Sequence, residues 1–136
     1  GLCKGSTGLQ IWGDYWHIKN IDVCNASDGN CGIRLSGHHN ILEGIKTYNN
    51  GNTGLQVSGT SEETIDMWPS DNLILNCTSY NNCDEAMEDA DGFAAKLTCG
   101  EGNVFRGCIA AYNADDGWDL FAKIATGKIG AVTIED

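Results

Sequence analysis

A chain of 136 residues with 19 acidic and 8 basic side chains, formal net charge −11, has the length of one domain and a surface that argues against nucleic acid or an anionic membrane as partner. No apolar run is long enough to span a membrane, and Gly1-Leu2-Cys3-Lys4 lacks the basic and apolar regions of a secretory signal, so the expectation is a processed chain or an excerpt. Eighteen glycines, one proline and apolar residues scattered in short pieces predict many strands and turns with little helix.

Along the chain a Gly-apolar-x-apolar signature recurs, as Gly8-Leu9-Gln10-Ile11, Gly32-Ile33-Arg34-Leu35, Gly54-Leu55-Gln56-Val57, Gly92-Phe93-Ala94-Ala95 and Gly117-Trp118-Asp119-Leu120. Its glycines are 24, 22, 38 and 25 residues apart, and three of these intervals are near the length of one solenoid turn. Between these anchors run Ile21-Asp22-Val23-Cys24-Asn25, Ile45-Lys46-Thr47-Tyr48-Asn49, Cys77-Thr78-Ser79-Tyr80-Asn81 and Ile109-Ala110-Ala111-Tyr112-Asn113. Alternation of period two puts the first, third and fifth residue of each on one strand face. It therefore predicts that Asn25, Asn49, Asn81 and Asn113 point inward. Buried amides need partners, and stacking at a strand spacing of about 4.8 Å lets each donate to the next. The pattern predicts an all-β parallel β-helix of about five coils with an asparagine ladder, as a single segment over residues 1–136.

The long interval holds two insertions. The first, residues 59–71, is polar and carries the proline; the second, residues 83–90, is acidic. Loops projecting from a rigid stack commonly wall a groove, and the acidic one reads equally as a solvated turn. The seven cysteines match no zinc ribbon, CxxC or knottin framework. Cys24 and Cys31 could bridge a turn, while Cys77 and Cys108 suit small buried positions.

Aligning the coils on their glycines places Asp91 and Asp116 in one slot. It turns the middle residues of the signature, Gln10, Arg34, Gln56, Ala94 and Asp119, outward. Asp91, Asp115, Asp116 and Asp119 then converge. Carboxylates about 5 Å apart repel by roughly 3 kcal/mol per pair at an effective dielectric near 20, so a cation is called for. Oxygen-only donors with no His or Cys nearby favour Ca²⁺ over zinc. Lys96, Lys123 and Arg106 are the candidate partners for a substrate carboxylate; Lys96 and Lys123 could equally offset the aspartates. No Ser-His-Asp, GxSxG, P-loop or HExxH arrangement is present, and no catalytic residue is assigned.

The stretches Trp68-Pro69-Ser70-Asp71-Asn72-Leu73-Ile74-Leu75-Asn76-Cys77, Asp89-Ala90-Asp91-Gly92-Phe93-Ala94-Ala95-Lys96-Leu97, Gly100-Glu101-Gly102-Asn103-Val104-Phe105-Arg106-Gly107-Cys108 and Asp115-Asp116-Gly117-Trp118-Asp119-Leu120 resemble polysaccharide lyase family 9, the pectate lyases. The resemblance implies a right-handed β-helix and calcium-assisted β-elimination on polygalacturonate. It places the calcium aspartates at Asp91, Asp115, Asp116 and Asp119. It also puts the family's basic lysine on a later coil, beyond Asp136, so the chain is expected to be an inactive piece of a longer, secreted lyase, extracellular or periplasmic. That lyase is expected to be monomeric in full-length form. The alternative reading is a non-catalytic, calcium-stapled β-helix that binds uronate polymers or serves as a surface solenoid.

Overall fold

The computed structural model describes residues 7–136. Each of the first four coils consists of three short strands. The first contains β1 (Leu9–Ile11), β2 (His17–Lys19) and β3 (Asp22–Cys24); the second β4 (Ile33–Leu35), β5 (Ile41–Glu43) and β6 (Lys46–Tyr48). The third contains β7 (Leu55–Val57), β8 (Leu73–Leu75) and β9 (Thr78–Tyr80), and the fourth β10 (Phe93–Ala95), β11 (Asn103–Arg106) and β12 (Ile109–Ala111). A fifth supplies β13 (Trp118–Asp119) and β14 (Val132–Glu135). Corresponding strands stack into three parallel sheets, β1-β4-β7-β10-β13, β2-β5-β8-β11-β14 and β3-β6-β9-β12. The expected parallel β-helix of five coils is observed.

The core is the inward-facing half of each strand. Ile33, Leu35, Leu55, Val57 and Phe93 of the first sheet meet Leu42, Ile74 and Phe105 of the second, all wholly buried. Phe93 anchors the lower coils, edge-on to Phe105 at 5.6 Å and stacked on Trp118 at 5.1 Å between ring centroids. At Gly32, Gly54 and Gly92 the glycine is required by close packing against the third sheet. A Cβ on Gly54 would stand 2.0 Å from Ser79 Oγ and 2.7 Å from Asn82 Nδ2, and one on Gly32 would stand 2.4 Å from Thr47 Oγ1. Those hydroxyls are themselves bonded to the next coil, Thr47 Oγ1 to the Gly54 carbonyl and Ser79 Oγ to that of Gly92.

The ladder is real, but its membership is shifted by one residue. Asn50 Nδ2 donates to Asn82 Oδ1 at 2.9 Å, and Asn82 Nδ2 donates to Asn113 Oδ1 at 2.8 Å. Asn113 is inside as expected, whereas Asn25, Asn49 and Asn81 are exposed bend residues with φ of 62°, 54° and 54°. Their counterpart on the fourth coil is Tyr112, φ 56°. Asparagine tolerates this left-handed backbone better than other side-chain-bearing residues, so one Asn turns the corner and the next carries the ladder. A second ladder occupies the bend between the first and second sheets: Asn40 N–H donates to Asn72 Oδ1, and Asn72 Nδ2 to Asn103 Oδ1 at 2.9 Å.

All six described cysteines are free, so Cys24 and Cys31 do not bridge a turn. Cys77 and Cys108 fill the inward slot held by Ile45 one coil earlier, since Lys46, Thr78 and Ile109 share a register.

Candidate metal and substrate groove

On the first sheet the residue before each glycine and the residue two after it form two outward rows. Register pairs Gln10 with Arg34, Arg34 with Gln56, Gln56 with Ala94 and Ala94 with Asp119, as the glycine alignment predicts. The row before the glycines runs Cys31, Thr53, Asp91, Asp116. Asp91 and Asp116 are thus neighbours across one strand spacing because Gly92 and Gly117 are.

Asp91 is wholly buried, and its charge is met locally. Its Oδ2 accepts hydrogen bonds from Thr53 Oγ1 and Lys96 Nζ, each at 2.8 Å, and its Oδ1 accepts one from the Asp116 N–H at 3.4 Å. Lys96 also reaches Asp119 Oδ2 at 2.8 Å, so one ammonium ties the fourth coil to the fifth. Burial alone would lower the Lys96 pKa. The hydrogen bonds it donates to Asp119 and Asp91 outweigh it and raise the pKa above the ordinary lysine value.

Asp115 and Asp116 project into solvent at the rim. One oxygen from each of Asp91, Asp115 and Asp116 lies within 4.8 Å of the others. Two oxygens bound at about 2.3–2.6 Å to one calcium ion are at most roughly 5.2 Å apart, so this spacing fits a shared hard cation. The Asp115 carboxyl is held above the usual carboxylate range, by desolvation and then by the negative charges of Asp116, Asp91 and Asp119. Asp115 is exposed, so the crowding of neighbouring carboxylates is the feature that distinguishes it. Lys96 alone does not neutralise four carboxylates. Asp119 lies outside the close trio, engaged by Lys96.

The cluster opens into a cavity of about 670 Å³ whose lining includes Asp115, Asp116, Asp119, Lys96, Arg34 and Gln56. Glu88 and Asp89 of the acidic insertion also line it, so that loop forms part of the wall. A second cavity of about 370 Å³ adjoins across Arg34, Gln56 and Leu97, with Lys123 and residues Gly59 and Thr60 of the other insertion. Lys96 and Lys123 thus lie along one groove with the aspartates. Arg106 does not: it lies on the second sheet and pairs there with Glu135. Two contributors were not singled out by the sequence. Thr53 sits in the slot before Gly54 that Asp91 takes before Gly92, and Arg34 sits in the outward slot of Asp119. The repeat phase that identified the aspartates marks both.

A family described as "Pel9A-like, right handed beta helix region" matches residues 2–136. The chain belongs to the Pel9A-like right-handed β-helix family. It is 53% identical over 133 residues to a pectate lyase L of Paenibacillus polymyxa, covering 96% of this chain and 29% of that protein. It is 49% identical to a pectate lyase L of Thermoclostridium stercorarium, covering 97% of this chain and 11% of that protein. The crystal structure of pectate lyase Pel9A superimposes with a TM-score of 0.73 at 37% identity, over 84% of this chain and 26% of that one. The chain therefore spans less than a third of each of these relatives, and what it shares with them is the Pel9A-like coil stack.

Proposed function

We propose that this chain is the calcium-binding core of a pectate lyase that cleaves polygalacturonate by β-elimination. The observation that carries the reading is the convergence of Asp91, Asp115 and Asp116 in a groove that also presents cations. The pectate lyase names of the relatives support it. A bound calcium ion would draw charge from the uronate carboxylate and so acidify the proton at C5.

The chain's own residues have three tasks. Asp91, fixed by Thr53 and Lys96, presents a preset oxygen, and Asp115 and Asp116 supply exposed oxygens at the rim. Asp119 completes the negative field while holding Lys96 in place. Lys96 is a clamp and not a base: bound to two carboxylates, it stays protonated and cannot accept a proton. In line with the family resemblance, proton abstraction is assigned to a lysine of a later coil, outside residues 1–136, in a longer secreted lyase. On this reading the isolated chain binds calcium without turning substrate over.

The test joins two measurements. Calorimetric titration should show calcium binding that Asp116→Ala weakens by about tenfold or more, while absorbance of the unsaturated product stays flat for the isolated chain and rises, chelator-sensitively, for the full-length lyase. Unchanged calcium affinity in Asp116→Ala refutes the metal site. Product formation by the isolated chain refutes the division of labour.

A further inference from the structure

Of the seven lysines and arginines among the described residues, three meet a carboxylate. Lys19 pairs with Glu43, Lys96 with Asp91 and Asp119, and Arg106 with Glu135. Arg34 is different. It is half-buried at the junction of the two groove cavities, and no carboxylate lies within ion-pairing distance of it among the described residues. Its guanidinium is nevertheless fixed: Nη2 donates to the Gly59 carbonyl, and the Trp12 ring lies 5.9 Å from its centre. Its Nε is enclosed without a hydrogen-bond partner. The nearby Cys31 thiol, whose pKa burial pushes up to about 11, donates to Gln56 Oε1 and supplies no counter-charge.

A half-buried cation without a partner is costly unless something supplies the charge. A guanidinium offers five donors in a fixed fork suited to a carboxylate, and the Gly59 carbonyl uses one of them. Arg34 also shares the outward row of Asp119, three strand steps away, which is roughly 14 Å at about 4.8 Å per step. Glu88 and Asp89 on the groove wall would repel a polyanion, so an attractive point is needed along its path.

We propose that Arg34 is a specificity-determining residue: it forms a second carboxylate subsite that grips a uronate of the same chain, several sugars away from the one over the acidic cluster. This rests on the lyase reading above. The site would require a polymer long enough to reach both points and a carboxylate at the far one. Methyl-esterified uronate would lose the contact.

The experiment measures kcat and KM of the full-length lyase on polygalacturonate and on a series of shorter oligogalacturonides, for wild type, Arg34→Gln and Arg34→Lys. Arg34→Gln should raise KM on the polymer roughly tenfold, the size expected of one charge-assisted contact, with kcat little changed. The effect should shrink with chain length and vanish on the shortest oligomer cleaved. Arg34→Lys should recover part of the loss, and calcium affinity by calorimetry should be unchanged in both variants.

An unchanged KM on the polymer, or the same loss at every length, overturns the subsite and leaves the lyase reading intact. A wild type that makes no unsaturated product overturns the lyase reading and the subsite with it. If Arg34→Gln lowers the melting temperature, the length dependence of Arg34→Lys decides in the same way.

Discussion

Replacing Asn82 by alanine should destabilise the coil stack far more than the same change at Asn81, although the two are adjacent and chemically identical. The Asn82 side chain makes four hydrogen bonds: Oδ1 accepts from Asn50 N and Nδ2, and Nδ2 donates to Ser79 Oγ and Asn113 Oδ1. Three of the partners keep another bond, Asn50 Nδ2 to Thr47 Oγ1, Ser79 Oγ to the Gly92 carbonyl and Asn113 Oδ1 from the Asn82 N–H. The buried Asn50 N–H keeps none of those named. Leaving it unsatisfied costs about 1–3 kcal/mol and each lost bond about 0.5–1.5 kcal/mol, so Asn82→Ala should cost about 4 kcal/mol. Asn81 is exposed and only turns a left-handed corner, so Asn81→Ala should cost about 1 kcal/mol and Asn81→Gly close to nothing. Urea unfolding of the three variants measures this directly. If Asn81→Ala proves as damaging as Asn82→Ala, the assignment of ladder and bend is refuted.

Lys96→Met leaves Asp91 buried without its cation and should destabilise the calcium-free protein by about 3 kcal/mol, with saturating calcium restoring part of the loss in thermal melts; equal melts with and without calcium would contradict it. Because the Asp115 pKa is raised, protons should compete for the trio at higher pH than for an ordinary aspartate. Calcium affinity should therefore fall as pH drops through that elevated range and recover above it, and a titration flat down to the ordinary aspartate pKa would refute this. Gly54→Ala would force a Cβ into Ser79 Oγ and should cost at least about 2 kcal/mol, read as a lowered urea midpoint.

The first sheet was legible from the residues because its signature has a constant phase. Gln10, Arg34, Gln56, Ala94 and Asp119 align in space as they do on paper, and with them Asp91 over Asp116. The third sheet was misread for a physical reason. Ile109 is apolar, which makes it resemble the inward Ile45, yet it is 60% exposed and its true counterpart is Lys46; Cys108 is the inward residue. Alternation then pointed to the first asparagine of Asn49-Asn50 and Asn81-Asn82, whereas backbone strain places the first at the corner and the second inside. The second ladder left a signal that went unused, since Asn40 and Asn72 directly precede β5 and β8 and Asn103 opens β11. Lys96's double engagement joins residues up to 23 positions apart, and Arg106 meets Glu135 across 29. Pairings of that range follow from coil register and rotamer together, which local pattern does not encode.

The row of outward residues has an implication for how such proteins can be altered. Coil lengths here differ by more than a third, yet the register across β7 and β10 is unbroken, because all the extra residues are looped out at the bends. Length is thus free and phase is not. Exchanging the loops at residues 59–71 or 83–90 for longer or shorter ones would reshape the groove wall while leaving Asp91 opposite Asp116. A single residue inserted within β10 would instead turn Phe93 to solvent and drive Ala94 inward. The scaffold separates the loops that shape the groove wall from the strands that hold Asp91 and Asp116 in register, so the two can be re-engineered independently.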